Sequence, residues 1–100
     1  WGAPDDLNTF MAMVNNVPSN WVHSAFSIGK NQMSYVAAAV LSGGNVRVGL
    51  EDNLWLERGR LATNAELVDK AVGIITAMGV DVMTPTEVRA ELNLVKRDPV

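Results

Sequence analysis

Apolar residues recur with helical spacing over the first part of the chain. In the first such run they fall at i, i+3, i+4 and i+7, and these positions are Leu7, Phe10, Met11 and Val14. Asp5 and Asp6 precede the run, where an N-cap residue and a first-turn acid are favoured, and Pro18 follows it. The pattern predicts a helix that ends before Pro18.

A second run with the same spacing extends over residues 31–42. Its apolar positions are Met33, Val36, Ala37, Val40 and Leu41. Gly43 and Gly44 follow directly, and a glycine in the left-handed conformation commonly caps a helix at this point. We therefore expect the second helix to end at this pair of glycines.

Two short segments next to these runs are typical of strands. Residues 21–27 combine aromatic and β-branched side chains and predict a buried strand, and residues 45–50 predict a second strand. Strands that alternate with helices of this length indicate an α/β fold with a parallel sheet covered by helices. Two parallel strands cannot complete such a sheet, and the chain does not begin with Met, so we expect it to be a part of a larger domain.

Two capping boxes predict further helices in the second half of the chain. Thr63 and Glu66 form the first box, and Thr84 and Glu87 form the second, with Pro85 at the first helical position. The buried positions expected for the third helix are Leu67, Ala71, Ile74, Ile75 and Met78, and the fourth helix carries Val88 and Leu92.

The composition is that of a globular protein, since 48% of the 100 residues are apolar and 19% are charged. A net charge of −3 argues against a nucleic-acid partner and against an anionic membrane surface, because both need a basic patch. No apolar run approaches the roughly 18 residues of a membrane-spanning helix. The lack of cysteine excludes a disulfide framework, a Cys-ligated zinc and a thiol nucleophile, and with no secretory signal we expect a cytoplasmic protein.

The candidate chemistry lies in residues 46–53, whose sequence is Val-Arg-Val-Gly-Leu-Glu-Asp-Asn. Side chains alternate along a strand, so Arg47, Gly49 and Glu51 share the face opposite the apolar residues. On a fully extended strand the side chains of Arg47 and Glu51 would lie about 13 Å apart. Asp52 follows at the carboxyl end of the strand, where ligands bind in open α/β sheets and in (β/α)8 barrels.

Two interpretations of these charges remain open at this point. Arg47 can face solvent, and the Asp-Asn pair after the strand can simply start a turn. If the strand is central in a parallel sheet, however, Arg47 and Glu51 have no solvent face and need charged partners or a metal ion.

The run Gly-Gly-Asn-Val-Arg-Val-Gly-Leu-Glu-Asp-Asn at residues 43–53 resembles the signature of the β-keto acid cleavage enzymes, the group that includes the 3-keto-5-aminohexanoate cleavage enzyme. The resemblance covers essentially the whole chain, and its further positions are Trp21, Gly29, Gln32, Gly59, residues 62–68, Thr84, Pro85, Val88 and Arg89. It implies that residues 1–100 form one partial domain, without a separate second domain. This domain would be the C-terminal third of a (β/α)8 TIM barrel, and its two strands would be the seventh and eighth of that barrel.

The resemblance also implies roles for three residues. Glu51 resembles the zinc ligand of the family, whose site is completed by two histidines of a His-x-His pair from a part of the barrel that this chain lacks. Asp52 resembles the general base, and Arg47 resembles its charged partner. Two His and one Glu leave an open position on zinc for the keto and carboxylate oxygens of a substrate, whose carbonyl the metal polarises as a Lewis acid.

The reaction that the resemblance implies condenses a β-keto acid with acetyl-CoA and then cleaves the adduct in a retro-Claisen step. Its products are acetoacetate and the CoA ester of the remaining acyl group. The expected partners are therefore a small β-keto acid, acetyl-CoA as co-substrate, and further copies of the enzyme in a homo-oligomer. Because this chain would supply one of three zinc ligands, we expect that alone it neither binds zinc tightly nor turns over.

Four other positions allow more than one interpretation. His23, the single histidine, lacks a second His at ligand spacing and is expected to be structural or to line a pocket. Gly29 and Gln32 open the second helix, where a CoA phosphate or a plain turn between strand and helix would fit. Trp55 would line the acyl pocket, stack on CoA or be wedged under its own loop.

Functions of a different class also stay open. The chain could be a small, non-catalytic α/β binding or assembly module that retains the motif, or one half of a split enzyme. A monomeric chain that melts cooperatively would favour the module, because two parallel strands with open edges are expected to aggregate or to need a partner.

Overall fold

A parallel strand pair joined by a helix forms the centre of the computed structural model, which describes residues 2–99. Along the chain the elements are α1 (Leu7–Asn15), β1 (Ser24–Ala25), a 3-10 turn (Gly29–Asn31), α2 (Gln32–Leu41), β2 (Asn45–Val46), β3 (Trp55–Glu57), β4 (Arg60–Leu61), α3 (Asn64–Ala77) and α4 (Pro85–Glu91). Ser24 lies opposite Asn45 and Ala25 lies opposite Val46 in the parallel pair of β1 and β2. The β1-α2-β2 unit confirms the predicted α/β class.

Both parallel strands are shorter than the pattern predicts. The expected buried strand over residues 21–27 is wrong for most of its length, because only Ser24–Ala25 pairs and Trp21 and Val22 are 67% and 65% exposed. The pairing of β1 stops because its partner strand, β2, leaves the ladder after Val46. The last ladder bond runs from the Arg47 N–H to the Ala25 carbonyl, at 3.3 Å, and beyond it the chain after β2 turns away.

Helix α1 begins directly after Asp5 and Asp6, with Asp6 as its N-cap and no acid in its first turn. The Asp6 carboxylate caps it by accepting from the Thr9 backbone N–H at 2.8 Å. Its apolar stripe is only partly buried, because Phe10 packs against the Tyr35 ring at 5.4 Å between centroids while Leu7 and Met11 stay 62% and 38% exposed. Leu7 and Met11 therefore share the predicted helical face with Phe10, but they are not buried within residues 2–99.

The core lies between α2 and α3. Val36, Ala71 and Ile75 form its buried cluster, and the residues packed around them are Met33, Val40, Val46, Val48 and Ile74. All three buried residues belong to the predicted apolar stripes of α2 and α3. The stripe of α2 is wrong in two places, because Ala39 lies outside it and is fully buried, whereas Leu41 lies in it and is 80% exposed. Leu41 is the last residue of α2, so its side chain lies at the end of the helix.

Both predicted capping boxes are present. The Thr63 hydroxyl accepts from the Glu66 N–H, and the Glu66 carboxylate accepts from the Thr63 N–H, so the two orphan donors at the start of α3 are satisfied. Thr84 and Glu87 do the same for α4. Helix α4 is short and has no buried residue, and Leu92, which caps its C-terminus, is 42% exposed.

An antiparallel hairpin between β2 and α3 has no counterpart in the predicted elements. β3 and β4 pair with Trp55 opposite Leu61, and Gly59 takes a φ of +83° in the connecting turn. The two strands are too short to show a clear alternation of apolar and polar residues, and the charged residues around the turn are typical of a loop. In the part of the chain that the structure describes, no helix has the length and apolar character needed to cross a bilayer.

Candidate active site

The candidate residues lie in a tight turn at the carboxyl end of the parallel strand pair. β2 ends at Val46, and the backbone reverses over residues 49–53. Gly49 has a φ of +156°, a conformation that side chains rarely adopt, and its carbonyl accepts from the N–H groups of Asp52 and Asn53 at 3.3 and 3.2 Å. The turn therefore presents the side chains of Glu51 and Asp52 next to the end of the strand.

Arg47 lies between two carboxylates in this arrangement. Its guanidinium is paired with Glu51 and lies 3.5 Å from Oδ2 of Asp52. The predicted separation of about 13 Å between Arg47 and Glu51 assumes an extended strand and is wrong, because the turn at Gly49 brings residue 51 back to residue 47. The structure thus brings all three predicted site residues together.

The two carboxylates have different surroundings. The Glu51 side chain is 78% exposed, whereas the Asp52 side chain is 9% exposed. Within residues 2–99, the buried Oδ2 of Asp52 has no hydrogen-bond donor. Asp52 is therefore a mostly buried carboxylate beside the Arg47 guanidinium, whereas Glu51 is paired with Arg47 and exposed to solvent.

Phe26 is a site residue that the sequence reasoning missed. The Arg47 guanidinium carbon lies 4.7 Å from the centroid of the Phe26 ring, a cation–π distance. Parallel register contains the signal, because Phe26 and Arg47 each come one residue after the paired Ala25 and Val46. Once the register is known, the residue directly after β1 is expected to lie beside Arg47, and here that residue is aromatic.

Three hydrogen bonds hold the turn from outside. The Gly29 N–H donates to the Asp52 carbonyl at 2.6 Å, and the Gln32 side-chain amide donates to the Gly49 carbonyl at 3.1 Å. From the start of α3, the Asn64 side-chain oxygen accepts from the Leu50 N–H at 2.8 Å. Because the Gly29 N–H is already used, the geometry favours the plain turn over a phosphate site at this residue.

The donor set around Glu51 fits one part of a metal site. One guanidinium between two carboxylates leaves a net negative charge, which favours a cation, and the Glu51 carboxylate is exposed. No group of three His, Cys, Asp or Glu side chains gathers within residues 2–99. The described residues would therefore supply a carboxylate to a metal whose other ligands come from elsewhere.

His23 lies at the opposite, amino end of the strand pair. Its Nε2 is 3.2 Å from the Ser42 hydroxyl, and its carbonyl accepts from the Asn45 N–H at 2.9 Å. The ring packs so closely on Gly44 that a Cβ there would come within 2.5 Å of Nε2. His23 is thus a packing residue that lines a cavity, as expected.

That cavity has a volume of about 610 Å³ and lies between α1 and the segment around β1. At its rim, Ser27 and Asn31 donate to Oδ2 of Asp5 at 2.8 and 2.7 Å. The hydrogen bonds from Asn31 and then Ser27 lower the pKa of Asp5 from its usual 3.8. Burial, together with the charges of Asp5 and Asp6, raises the pKa of the Tyr35 phenol above 10.0.

Trp55 is half exposed at the start of the hairpin and is not wedged under its loop. Asn53 holds its backbone on both sides, since the Asn53 amide donates to the Trp55 carbonyl at 2.7 Å and accepts from the Trp55 N–H at 3.0 Å. The indole is therefore free to contact a molecule that approaches the turn.

Comparisons with known proteins identify the family of this chain. The profile of the beta-keto acid cleavage enzyme family matches residues 1–94. The chain is 70% identical over 97 residues to the 3-dehydrocarnitine:acetyl-CoA trimethylamine transferase of Rhizobium meliloti (strain 1021), and this match covers 97% of the chain and 32% of the relative.

Two further relatives are more distant. The 3-keto-5-aminohexanoate cleavage enzyme of Acetoanaerobium sticklandii is 39% identical over 94 residues, which are 93% of this chain and 33% of that enzyme. The 3,5-dioxohexanoate:acetyl-CoA acetone transferase of Paraburkholderia graminis is 41% identical over 93 residues, 91% of this chain and 30% of the relative. The chain thus spans about a third of the length of the curated relatives it matches. The resemblance in the sequence is confirmed, and the chain belongs to the β-keto acid cleavage enzyme family.

Proposed function

We propose that this chain forms the C-terminal portion of a TIM-barrel enzyme that exchanges the acyl group of a β-keto acid with acetyl-CoA. In this proposal residues 1–100 are one partial domain, and β1 and β2 are the seventh and eighth barrel strands. The observation that carries it is the placement of Arg47 between Glu51 and Asp52 at the carboxyl end of a parallel strand pair. That is the end at which TIM barrels place their catalytic residues.

Asp52 is the general base in this proposal. The methylene between the keto and carboxylate groups of a β-keto acid is acidic, and Asp52 takes one of its protons, so that the electron pair forms an enolate. The enolate carbon attacks the acetyl-CoA carbonyl, and CoA leaves as the thiolate. The burial of Asp52 and the lack of a hydrogen-bond donor on its Oδ2 within residues 2–99 support the role, because this oxygen keeps a lone pair that can accept a proton.

In the second half of the reaction a C–S bond forms and a C–C bond breaks. The CoA thiolate adds to the original keto carbon, the bond between that carbon and the methine carbon breaks, and the acyl group leaves as its CoA ester. The acetoacetate enolate then recovers the proton from Asp52. Asp52 thereby returns to its ionised starting state. Arg47 stays paired with Asp52 through both halves and limits the movement of the carboxylate.

Glu51 would hold the zinc ion, together with two histidines from outside this chain. When bound, zinc would supply Lewis-acid polarisation of the substrate keto oxygen. The exposed carboxylate of Glu51 and the net negative charge beside it support this assignment. In this arrangement Arg47 neutralises part of that charge and orients both carboxylates.

We also propose 3-dehydrocarnitine as the β-keto acid. The support is the contrast in identity, since the relative named for that substrate is 70% identical while the relatives named for other β-keto acids are 39% and 41% identical. A homo-oligomeric state and a cytoplasmic location stay predictions, and size-exclusion chromatography and cell fractionation would test them.

The test uses a chimera in which this chain replaces the matching segment of the Rhizobium meliloti transferase. The assay mixes 3-dehydrocarnitine with acetyl-CoA and measures acetoacetate and the new acyl-CoA. We expect activity within about tenfold of the parent enzyme, and a loss of roughly a thousandfold or more for Asp52→Asn, which keeps the shape but cannot take a proton.

Two controls accompany this assay. 3-Keto-5-aminohexanoate serves as the competing substrate, and Asp69→Asn serves as a matched acid-to-amide change on the exposed face of α3. A folded chimera without activity, next to an active parent, would contradict the enzyme proposal and favour the non-catalytic module. Activity that is higher with the competing substrate would contradict only the choice of 3-dehydrocarnitine.

A further inference from the structure

We infer that Gln32 is a positioning residue, which fixes the turn over residues 49–53 and thereby orients Asp52. The kinetic part of this inference rests on the proposed function, and the structural part does not. No contact with substrate is assigned to Gln32, since it acts through the backbone of the turn.

The burial of Gln32 is unusual for an amide side chain. It is 1% exposed at the first turn of α2, among the largest fully buried side chains of the described residues. Its Nε2 donates to the Gly49 carbonyl at 3.1 Å, and its Oε1 has no hydrogen-bond partner within residues 2–99. Burying an amide oxygen without a partner is unfavourable, so packing alone does not explain a glutamine here.

The Gly49 carbonyl is the point at which the turn is organised. It accepts from Gln32 and also from the N–H groups of Asp52 and Asn53. The Gln32 amide therefore holds from the helix side the same oxygen that closes the turn from within. If the Gly49 carbonyl rotates away, it loses its bonds to Gln32 and to the N–H groups of Asp52 and Asn53.

A second bond acts next to the first. Gly29, at the start of the 3-10 turn before α2, donates its N–H to the Asp52 carbonyl at 2.6 Å. The beginning of α2 thus holds residues 49 and 52 at once. Because a misplacement of about 1 Å in a catalytic group can cost about a hundredfold in rate, the anchor of this turn matters for turnover.

The test compares Gln32→Met with Val36→Ala in the chimera. Methionine keeps the volume of glutamine without the amide donor, whereas Val36→Ala removes core packing from the same helix without removing a hydrogen bond to the turn. Two readouts are taken from each variant: hydrogen exchange of the peptide that contains residues 49–53, and the separate values of kcat and KM.

For Gln32→Met we expect faster exchange of the Asp52 and Asn53 amides and a fall in kcat of about tenfold to a hundredfold, with KM changed less than about threefold. For Val36→Ala we expect a lower melting temperature with kcat and the exchange of the turn unchanged. Unchanged exchange in Gln32→Met would overturn the inference, and so would equal effects of the two variants. If the parent chimera lacks activity, the proposed function fails while the exchange data still decide whether Gln32 holds the turn.

Discussion

The guanidinium of Arg47 lies over the ring of Phe26, 4.7 Å from its centroid. Each residue directly follows the last paired position of its strand, so the two parallel strands meet in this contact at their carboxyl ends. The same guanidinium reaches Glu51 and Asp52. The Arg47 guanidinium is therefore contacted by the Phe26 ring, directly after β1, and by the Glu51 and Asp52 carboxylates in the turn after β2.

Replacing the ring is expected to loosen this cation. Phe26→Leu keeps an apolar side chain but removes the π face, and we expect the free energy of unfolding to fall by about 0.5–1 kcal/mol, the size of a partly exposed cation–π contact. Phe26→Tyr retains the ring and is expected to match the unchanged protein. Urea denaturation of the chimera and both variants measures the difference, and equal stability of the leucine and tyrosine variants would contradict the contact.

Changing Arg47 to lysine is expected to impair activity although the charge is kept. A guanidinium donates through several N–H groups and can serve Glu51 and Asp52 together, whereas an ammonium is a single point charge. We expect kcat/KM of the chimera to fall by about tenfold to a hundredfold. Arg60→Lys is the matched control. Arg60 also pairs with two carboxylates, those of Glu57 on the hairpin and Glu66 on α3, but with neither Glu51 nor Asp52. A similar loss in both variants would argue against a specific role of Arg47.

Zinc content tests the role of Glu51. Glu51→Gln removes a charged ligand, and we expect the chimera to lose zinc affinity by about tenfold to a hundredfold or more, in elemental analysis after dialysis against a chelator. Glu57→Gln, an exposed acid on β3, is expected to keep the metal. Full zinc occupancy in Glu51→Gln would contradict the assignment, whatever the activity of the variant.

The Asp5 carboxylate is expected to make stability depend on pH in the acid range. Its folded-state pKa is lowered by the hydrogen bonds from Asn31 and Ser27, so its contribution is present above the ordinary value of 3.8 and is lost as the pH falls through the lower folded value. Asp5→Asn is therefore expected to be less stable than the unchanged protein at neutral pH. The difference should vanish below both pKa values.

Urea denaturation at a series of pH values from about 7 to about 2 measures this dependence. Ser27→Ala removes one of the donors and is expected to reduce the acid dependence without abolishing it. A difference between the unchanged protein and Asp5→Asn that stays constant over this pH series would contradict the shift.

Two glycine-to-alanine changes are expected to act in opposite directions. A Cβ at Gly44 would lie 2.5 Å from Nε2 and 2.6 Å from Cδ2 of His23, so Gly44→Ala must displace the ring. We expect it to lower the free energy of unfolding by about 1–3 kcal/mol. Gly73 lies inside α3 with open space around its missing Cβ, and Gly73→Ala is expected to stabilise the protein by about 0.5–1 kcal/mol.

Adding His23→Ala to Gly44→Ala separates the steric effect from other causes. The smaller side chain at position 23 removes the clash, so the double variant is expected to be less destabilised than the sum of the two single changes. Additive effects would show that the ring of His23 is not what limits position 44.

The sequence predicts local elements better than their packing. Helix starts at Asp6, Thr63 and Thr84 follow from short-range capping chemistry, which the neighbouring residues decide. Strand length depends instead on a partner, and nothing in residues 21–27 tells that β2 leaves the sheet after Val46. Leu41 belongs to the predicted apolar stripe of α2 yet is 80% exposed, because burial also depends on a packing partner that periodicity does not supply.

The candidate site shows the same division. The resemblance of residues 43–53 to a family signature pointed to Arg47, Glu51 and Asp52, while their arrangement could not be deduced from alternation along a strand. Gly49 was the available signal for a turn, but a glycine in a strand pattern also indicates a bulge or a close backbone approach. Phe26 and Gln32 needed the parallel register and the position of the turn before their contacts could be seen.

The anchors of the turn also have a consequence for the order of folding. Gln32 is 17 residues from Gly49, and Asn64 is 14 residues from Leu50. Loops of this size close at a modest entropic cost, and contacts of short sequence separation form early. Nearby segments of the chain can therefore position Glu51 and Asp52. The site can become ordered before the contacts of largest sequence separation form.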